Sequence, residues 1–268
     1  MTDDALVLLA VEDRPDGRIA RVTINNPHKL NAMNSAVMAQ FVATFAALAQ
    51  DEALRAVVLT GAGPRSFVGG ADIGEMGAIE TPAQARAFIT RVHQCCDAVR
   101  TCPVPVIAVV QGFCFGAGME LAAACDLRLA GDAALFGMPE VKLGIPSVVE
   151  AALLPGLVGW GNTREMLLLG ENFSAQRALE YRLVEKVVPQ PELEAALEVW
   201  LAKLLTSTPR AVRLQKALIR RWEKLPLAEA IAAGIDCFAA AFETDEPKQA
   251  LGHFLAGAAA RRAQKHGL

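Results

Sequence analysis

Two glutamates in this 268-residue chain stand where carboxyl groups can do proton chemistry. Glu120 closes the run Gly112-Phe113-Cys114-Phe115-Gly116-Ala117-Gly118-Met119-Glu120, and Glu140 follows the apolar segment Ala134-Leu135-Phe136-Gly137 after Met138-Pro139. A helix that starts near Gly116 leaves its first N–H groups without intrahelical partners and carries the positive end of its dipole there. Small residues at 116 to 118 let a ligand oxygen reach those amides, with a carboxylate inside the first turn. Each glutamate also has a plain reading: Glu120 as a solvated first-turn residue, Glu140 as a helix-start carboxylate after a proline. Pairing favours the chemical one. In an apolar pocket a carboxyl group is pushed toward neutrality and can give or take a proton near neutral pH, so two of them can share the transfers of one addition.

A second glycine-bearing run, Ser66-Phe67-Val68-Gly69-Gly70-Ala71-Asp72-Ile73, precedes the first. Neither run fits GxGxxG after an opening strand or the phosphate-binding GxxxxGK[ST] pattern. A nicotinamide dehydrogenase, which needs those glycines and a ribose-binding acid, therefore ranks last among enzyme readings. The cysteines (Cys95, Cys96, Cys102, Cys114, Cys125, Cys237) form no CxxC pair, and His28, His93, His253 and His266 are scattered. No metal site is expected, and the thiols are expected to be reduced and mostly buried.

The elements that must position these residues show in the apolar patterning. Val7 to Glu12 and Ile19 to Ile24 are β-branched runs joined by Arg14-Pro15-Asp16-Gly17, a hairpin. Asn34 caps a helix whose apolar positions Val37, Phe41, Phe45 and Leu48 recur at helical spacing. Val57 to Thr60 reads as a buried strand, Thr81-Pro82 opens a helix with Phe88, Ile89, Val92 and Val99 inward, and Val104 to Val110 is again a strand. A short helix to about Ala124 and a strand from Asp126 to Ala130 follow. Strand–helix–strand recurrence implies parallel β structure with crossover helices, so the class is α/β. Beyond about Pro189 only helical stretches remain, over 191–205, 209–222, 226–242 and 247–262, each opening near a proline.

Phe67 to Ile73, Gly112 to Ala122, Cys125-Asp126 and Phe136-Gly137-Met138-Pro139-Glu140-Val141-Lys142-Leu143-Gly144 together closely resemble the enoyl-CoA hydratase/isomerase (crotonase) superfamily, over about Val7 to Phe254. That resemblance implies a ββα-superhelix core over residues 1–189 and a helical trimerisation region over 190–268. It implies an enzyme, a hydro-lyase that adds water to a 2-enoyl-CoA, with the backbone amides of Ala71 and Ala117 polarising the thioester carbonyl. Glu120 matches the family's water-activating glutamate and Glu140 the one that exchanges a proton at the α-carbon. Lys29, Leu30, Ala71, Asp72, Ile73 and Gly74 match segments lining the CoA path, and Phe254, with Arg261 and Arg262, matches a helix that closes over the CoA tail. No cofactor is implied, CoA being part of the substrate. Many hydratases carry Gly-x-x-Pro-Gly-x-Gly-Gly after the second glutamate. This chain has Gly144-Ile145-Pro146-Ser147-Val148-Val149-Glu150, similar to a subset that includes methylthioacryloyl-CoA hydratases. Glu150 reads either as a third pocket carboxylate or, more simply, as a residue on a helix surface.

Composition sets the partners. Hydrophobic residues make up 53% and charged ones 21%, which suggests apolar surface hidden between subunits, in a trimer or hexamer. A net charge of −3 provides no basic field for nucleic acid or anionic membrane. No apolar stretch approaches the roughly 20 residues of a bilayer span, and the opening residues do not read as a signal segment, so the expected location is the cytoplasm. The rival readings are a Δ3,Δ2-enoyl-CoA isomerase, whose family members commonly replace the first glutamate, and a non-catalytic CoA- or RNA-binding member.

Overall fold

The computed structural model describes residues 5–266, and the side chains of 5–258. Among the described residues the strands are β1 (Val7–Arg14), β2 (Gly17–Ile24), β3 (Leu54–Gly61), β4 (Ser66–Val68), β5 (Val106–Val110), β6 (Phe113–Phe115), β7 (Leu127–Gly131), β8 (Leu135–Gly137), β9 (Phe173–Ser174) and β10 (Lys186–Val188). The helices are α1 (Ser35–Leu48), α2 (Ile73–Gly77), α3 (Pro82–Thr101), α4 (Ala117–Ala124), α5 (Leu154–Leu169), α6 (Ala175–Glu180), α7 (Leu193–Thr206), α8 (Pro209–Trp222), α9 (Leu227–Ala241) and α10 (Glu246–His266). No described helix is long and apolar enough to cross a membrane.

Two sheets share these strands. The larger has the order β1-β2-β3-β5-β7-β10 and the smaller β4-β6-β8-β9. The β1–β2 hairpin is antiparallel, with Val7 opposite Ile24, and β2-β3-β5-β7-β10 are parallel. The chain visits the sheets alternately: β3 then β4, β5 then β6, β7 then β8, with α3 and α4 returning it for the next round. This is the expected ββα core. The inner strands β3 and β5 are apolar and buried along almost their whole length because layers cover both their faces.

Local chemistry explains the helices that flank the site. Asn34 caps α1 by accepting from the Val37 amide at 2.8 Å, and α1 buries Val37, Met38, Phe41, Phe45 and Leu48. A Thr81/Gln84 capping box with Pro82 in the first turn starts α3, which turns Phe88, Val92, Cys95, Cys96 and Val99 inward. Among the described residues no cysteine is in a disulfide, and Cys95, Cys96, Cys102, Cys114 and Cys125 are buried.

Two compact units emerge, Met1–Lys203 and Leu204–Leu268. The last strand ends at Val188, where the strand patterning stops, yet most of α7 belongs to the first unit rather than to the helical region expected from residue 190. The reason is electrostatic as well as apolar. Leu193, Ala196, Leu197 and Leu201 are buried, and Glu198 accepts from Arg14 at 2.8 Å while Glu194 pairs with Arg21, which ties the helix to the β1–β2 hairpin.

Candidate active site

Three parallel strands of the small sheet end side by side. β4 and β6 are parallel, with Ser66 beside Phe113, and so are β6 and β8, with Phe113 beside Leu135. Ligands of parallel sheets bind outside the carboxyl ends of the strands. Here those ends run into Gly69-Gly70-Ala71-Asp72, into Gly116 and α4, and into Met138-Pro139-Glu140.

Glycines bring these three segments into contact. A methyl group on Gly118 would lie 2.2 Å from the Val68 carbonyl oxygen, so α4 sits directly on the end of β4. The Gly116 amide donates to the Gly137 carbonyl at 2.9 Å, which joins the start of α4 to the end of β8. A methyl group on Gly116 would meet Glu140 Oε1 at 2.5 Å. Gly116 also has φ +50 and ψ −120, a left-handed conformation that side chains resist.

Both predicted amides face away from the fold's own hydrogen bonding. Ala71 forms a parallel bridge with Met33 in which the bonds belong to its neighbours: Met33 N–H donates to Gly70 O at 2.9 Å and Asp72 N–H to Met33 O at 3.1 Å. The Ala71 N–H therefore points away from Met33. Ala117 is the first residue of α4, where an N–H has no intrahelical acceptor. The helix dipole adds to the positive potential there.

Glu120, one turn further on, is only 4% exposed. Its pKa is pushed up to about 8, first by burial and then by the charges of Glu140 and Glu150, while the amides of Val148 and Ala151 act in the opposite direction. Glu140 lies on the 3-10 turn Pro139–Leu143, is half-buried, and accepts a hydrogen bond from Ser147 Oγ to Oε2 at 2.8 Å. The two candidate carboxylates thus sit in different settings, one enclosed and one tethered at the rim.

Glu150 is a correction. The surface position expected of it is not what the structure shows: it is 5% exposed, on the 3-10 turn Val149–Leu153. Its Oε1 is 2.8 Å from His93 Nδ1 of α3, and its Oε2 is buried with no hydrogen-bond partner among the described residues. The signal was in the sequence, since Glu150, Leu154 and Val158 recur every fourth residue and all three are buried.

The expected CoA-path residues form one patch beside Ala71. Lys29 Nζ donates to Asp72 Oδ2 at 2.9 Å, and Asp72 also caps α2 by accepting from the Glu75 amide at 3.0 Å. The lysine hydrogen bond, followed by the Glu75 amide, holds the Asp72 carboxyl below its usual range. Ile73, at 61% exposed, and Gly74 stand free on the first turn of α2. Leu30 and Asn31 have φ +54 and +56, an uncommon conformation for non-glycine residues. Asn31, which the sequence reading passed over, fixes that loop by donating to the carbonyls of Ala62 and Ser66, and Gly69 N–H donates to Leu30 O at 2.8 Å. Phe254 lies in the second unit with its ring exposed. The side chains of Arg261 and Arg262 lie outside the described residues.

Known proteins share this arrangement of sequence. Residues 14–260 match the family described as enoyl-CoA hydratase/isomerase. The chain is 37% identical over 241 residues to the short-chain-enoyl-CoA hydratase of Clostridium acetobutylicum, covering 90% of this chain and 92% of that one. It is 34% identical to the crotonyl-CoA hydratase of Syntrophomonas wolfei, over 89% of this chain and 92% of that one. Among solved structures, the enoyl-CoA hydratase of Mycobacterium smegmatis superposes with a TM-score of 0.90 at 30% identity, covering 95% of this chain and 97% of that one.

Proposed function

The chain belongs to the enoyl-CoA hydratase/isomerase family, and on that premise we propose that it adds water across the 2,3-double bond of a short 2-enoyl-CoA, giving a 3-hydroxyacyl-CoA. The observation that carries this reading is the junction of three strand ends that sets Glu120 and Glu140 beside the amide-bearing start of α4. Short-chain substrates are favoured by the relatives' names, short-chain-enoyl-CoA and crotonyl-CoA hydratase.

The chemistry follows from the geometry. Attack of water at the β-carbon drives electron density onto the thioester oxygen, and the Ala71 and Ala117 amides stabilise that developing charge more than they stabilise the ground state. For hydration the shared proton has to sit on Glu140, which leaves Glu120 ionised as the base even though burial favours the proton on Glu120. Glu120 takes one proton from the water as the oxygen bonds to the β-carbon, while Glu140 delivers its proton to the α-carbon. Dehydration reverses both transfers. One proton shared between two carboxyls suffices for either direction, and their mutual charge repulsion opposes ionisation of both at once. The Ser147 hydroxyl orients Glu140 at the rim. Lys29, Leu30 and Asp72 to Gly74 supply the edge along which the CoA moiety lies.

Assembly into trimers, or hexamers built from them, is part of the proposal. It is supported by α9, where Leu227, Ile231, Ile235 and Phe238 are exposed at 78%, 58%, 67% and 70% along one helix, with Phe242 just after it exposed at 45%. The free thiols fit a cytoplasmic setting.

The test is incubation of purified protein with crotonyl-CoA, 3-hexenoyl-CoA and methylthioacryloyl-CoA, following enone absorbance and product mass. The proposal expects crotonyl-CoA to lose its enone absorbance and gain the mass of one water. Conversion of 3-hexenoyl-CoA to the conjugated isomer with no hydration of crotonyl-CoA would replace it with the isomerase reading, in which a single carboxylate shuttles the proton.

A further inference from the structure

A third carboxylate lies next to the proposed acid–base pair, and the reaction as written does not use it. Glu150 sits on a turn packed against both α3 and α4, and it is 5% exposed with Oε2 unpartnered. A buried carboxylate with an idle oxygen is costly to a fold, and a glutamine or an apolar side chain fills such a position at less expense. The backbone is strained at this point too. Val149, just before it, has φ +38, a region β-branched residues avoid, and this conformation belongs to the turn that carries Glu150 inward. The anchor is His93 on α3, whose Nδ1 is 2.8 Å from Oε1 and whose side chain is 52% exposed, so one end of the pair is enclosed and the other is wet.

The groups around the pair are few. From α3 come His93 and Cys96, the latter buried and under the charges of Glu150 and Glu120, which, after burial itself, push its thiol up. From α4 comes Glu120, and from the 139–143 turn Glu140. On α5, Arg164 stacks over Trp160 and Glu165 accepts from Tyr181, so both charges of that segment are engaged elsewhere.

We infer that Glu150, held by His93 on a turn packed against the helix that carries Glu120, is a positioning residue for the proposed reaction: its carboxylate acts on the proton chemistry of Glu120, and His93 fixes where that carboxylate sits. A negative neighbour disfavours ionisation of Glu120 and makes it a stronger base once ionised. The inference rests on the proton role of Glu120 given above.

The experiment is the pH dependence of kcat/KM for crotonyl-CoA hydration, which reports groups of the free enzyme, in wild type, Glu150→Gln, Glu150→Asp and His93→Gln. It is paired with an infrared titration of the protonated-carboxyl band of Glu120, identified by its disappearance in Glu120→Gln. Glu150→Gln keeps the shape and removes the charge, so the acidic limb and the infrared transition are expected to move down by about one pH unit. Glu150→Asp keeps the charge and is expected to hold the limb near its wild-type position. His93→Gln can donate the same hydrogen bond to Oε1, so its limb is expected to stay near the wild-type position. A Glu150→Gln enzyme with an unmoved limb and infrared transition, however slow, would show that Glu150 only packs, and a His93→Gln limb displaced as far as that of Glu150→Gln would overturn the tethering role of His93. If wild type does not hydrate crotonyl-CoA, the functional reading fails, and the infrared titration still decides whether Glu150 governs Glu120.

Discussion

The edge where β4, β6 and β8 end and the α9 helix of the second unit solve opposite problems. At the strand ends the chain has removed side chains so that backbone meets backbone: Gly118 against Val68, Gly116 against Gly137, Gly69 against Leu30. The strands and the helix start themselves are packed, with Phe67, Val68, Ala117, Met119, Leu121, Phe136 and Met138 buried, while Ile73, Val141, Leu143, Ile145 and Val148 of the segments beyond them are exposed. On α9 the apolar side chains are retained and left uncovered, with Leu227 and Phe238 exposed at 78% and 70%. Such a row of exposed apolar side chains is the feature on which the proposed subunit contact rests. One region is packed by close backbone approaches within the chain, while the other leaves its apolar side chains uncovered.

The largest break in that contrast comes from Gly118→Ala. Both sides of the contact are backbone, so no rotamer relieves an added methyl 2.2 Å from Val68 O. The helix must shift off β4 and take Ala117 and Glu120 with it. Hydratase activity is expected to fall at least a hundredfold with a clear drop in Tm, measured by enone absorbance and circular dichroism. The same change at Gly252, where a methyl meets nothing within 4 Å, is expected to leave both near wild type.

Next in size is Ala117→Pro. Proline suits the first turn of a helix and deletes the one N–H proposed as an oxyanion donor. We expect near-normal Tm and thioester affinity, with kcat lowered by roughly a hundredfold, about 3 kcal/mol of transition-state stabilisation. Activity that falls only in proportion to the folded fraction would remove the Ala117 amide from the mechanism.

The other side of the comparison is tested by paired Ile235→Glu and Phe238→Glu changes on the exposed row of α9. Light scattering is expected to show a trimer or hexamer for wild type and smaller species for the variant. A monomeric wild type at micromolar concentration would show that the row is not a subunit contact.

The smallest effect is on stability. The fold raises Glu120 from its ordinary 4.5 to about 8, so it favours the protonated form; stability from this source is full below about 4.5 and is lost as pH rises through about 8. Glu120→Gln carries no charge to lose. The variant is expected to melt close to wild type near pH 5 and to be more stable by about 1–3 kcal/mol near pH 9. Equal melting temperatures at both would mean that Glu120 is not held neutral by burial.

Much of the frame was legible in the residues. The β1–β2 hairpin, the Asn34 and Thr81 caps and the four C-terminal helices show in periodicity and capping chemistry, and α8 begins and ends at the expected Pro209 and Trp222. The strands β4 and β6 did not show, because three residues set between glycines carry no periodicity and become strands only through their neighbours. Glu120 and Glu140 stood out as paired carboxylates and through the resemblance of their motifs; what the sequence did not show is that Gly116 brings the 137–140 segment against the start of α4. Glu150 was misjudged because a charge was weighed by its type, while the four-residue spacing with Leu154 and Val158 that buries it went unread. The strain at Leu30 and Val149 has no sequence signature, since nothing about leucine or valine announces a positive φ.

The central claim is that two carboxyls at one strand-end junction divide the proton transfers of a single hydration. It is tested most directly by kcat for crotonyl-CoA hydration in Glu120→Gln and Glu140→Gln, with thioester affinity measured alongside by calorimetry. Both changes keep the side-chain shape and remove proton transfer, so each variant is expected to bind the thioester within a few-fold of wild type while losing nearly all turnover. Wild-type kcat in either variant would contradict the account by showing that the remaining carboxyl carries the reaction alone.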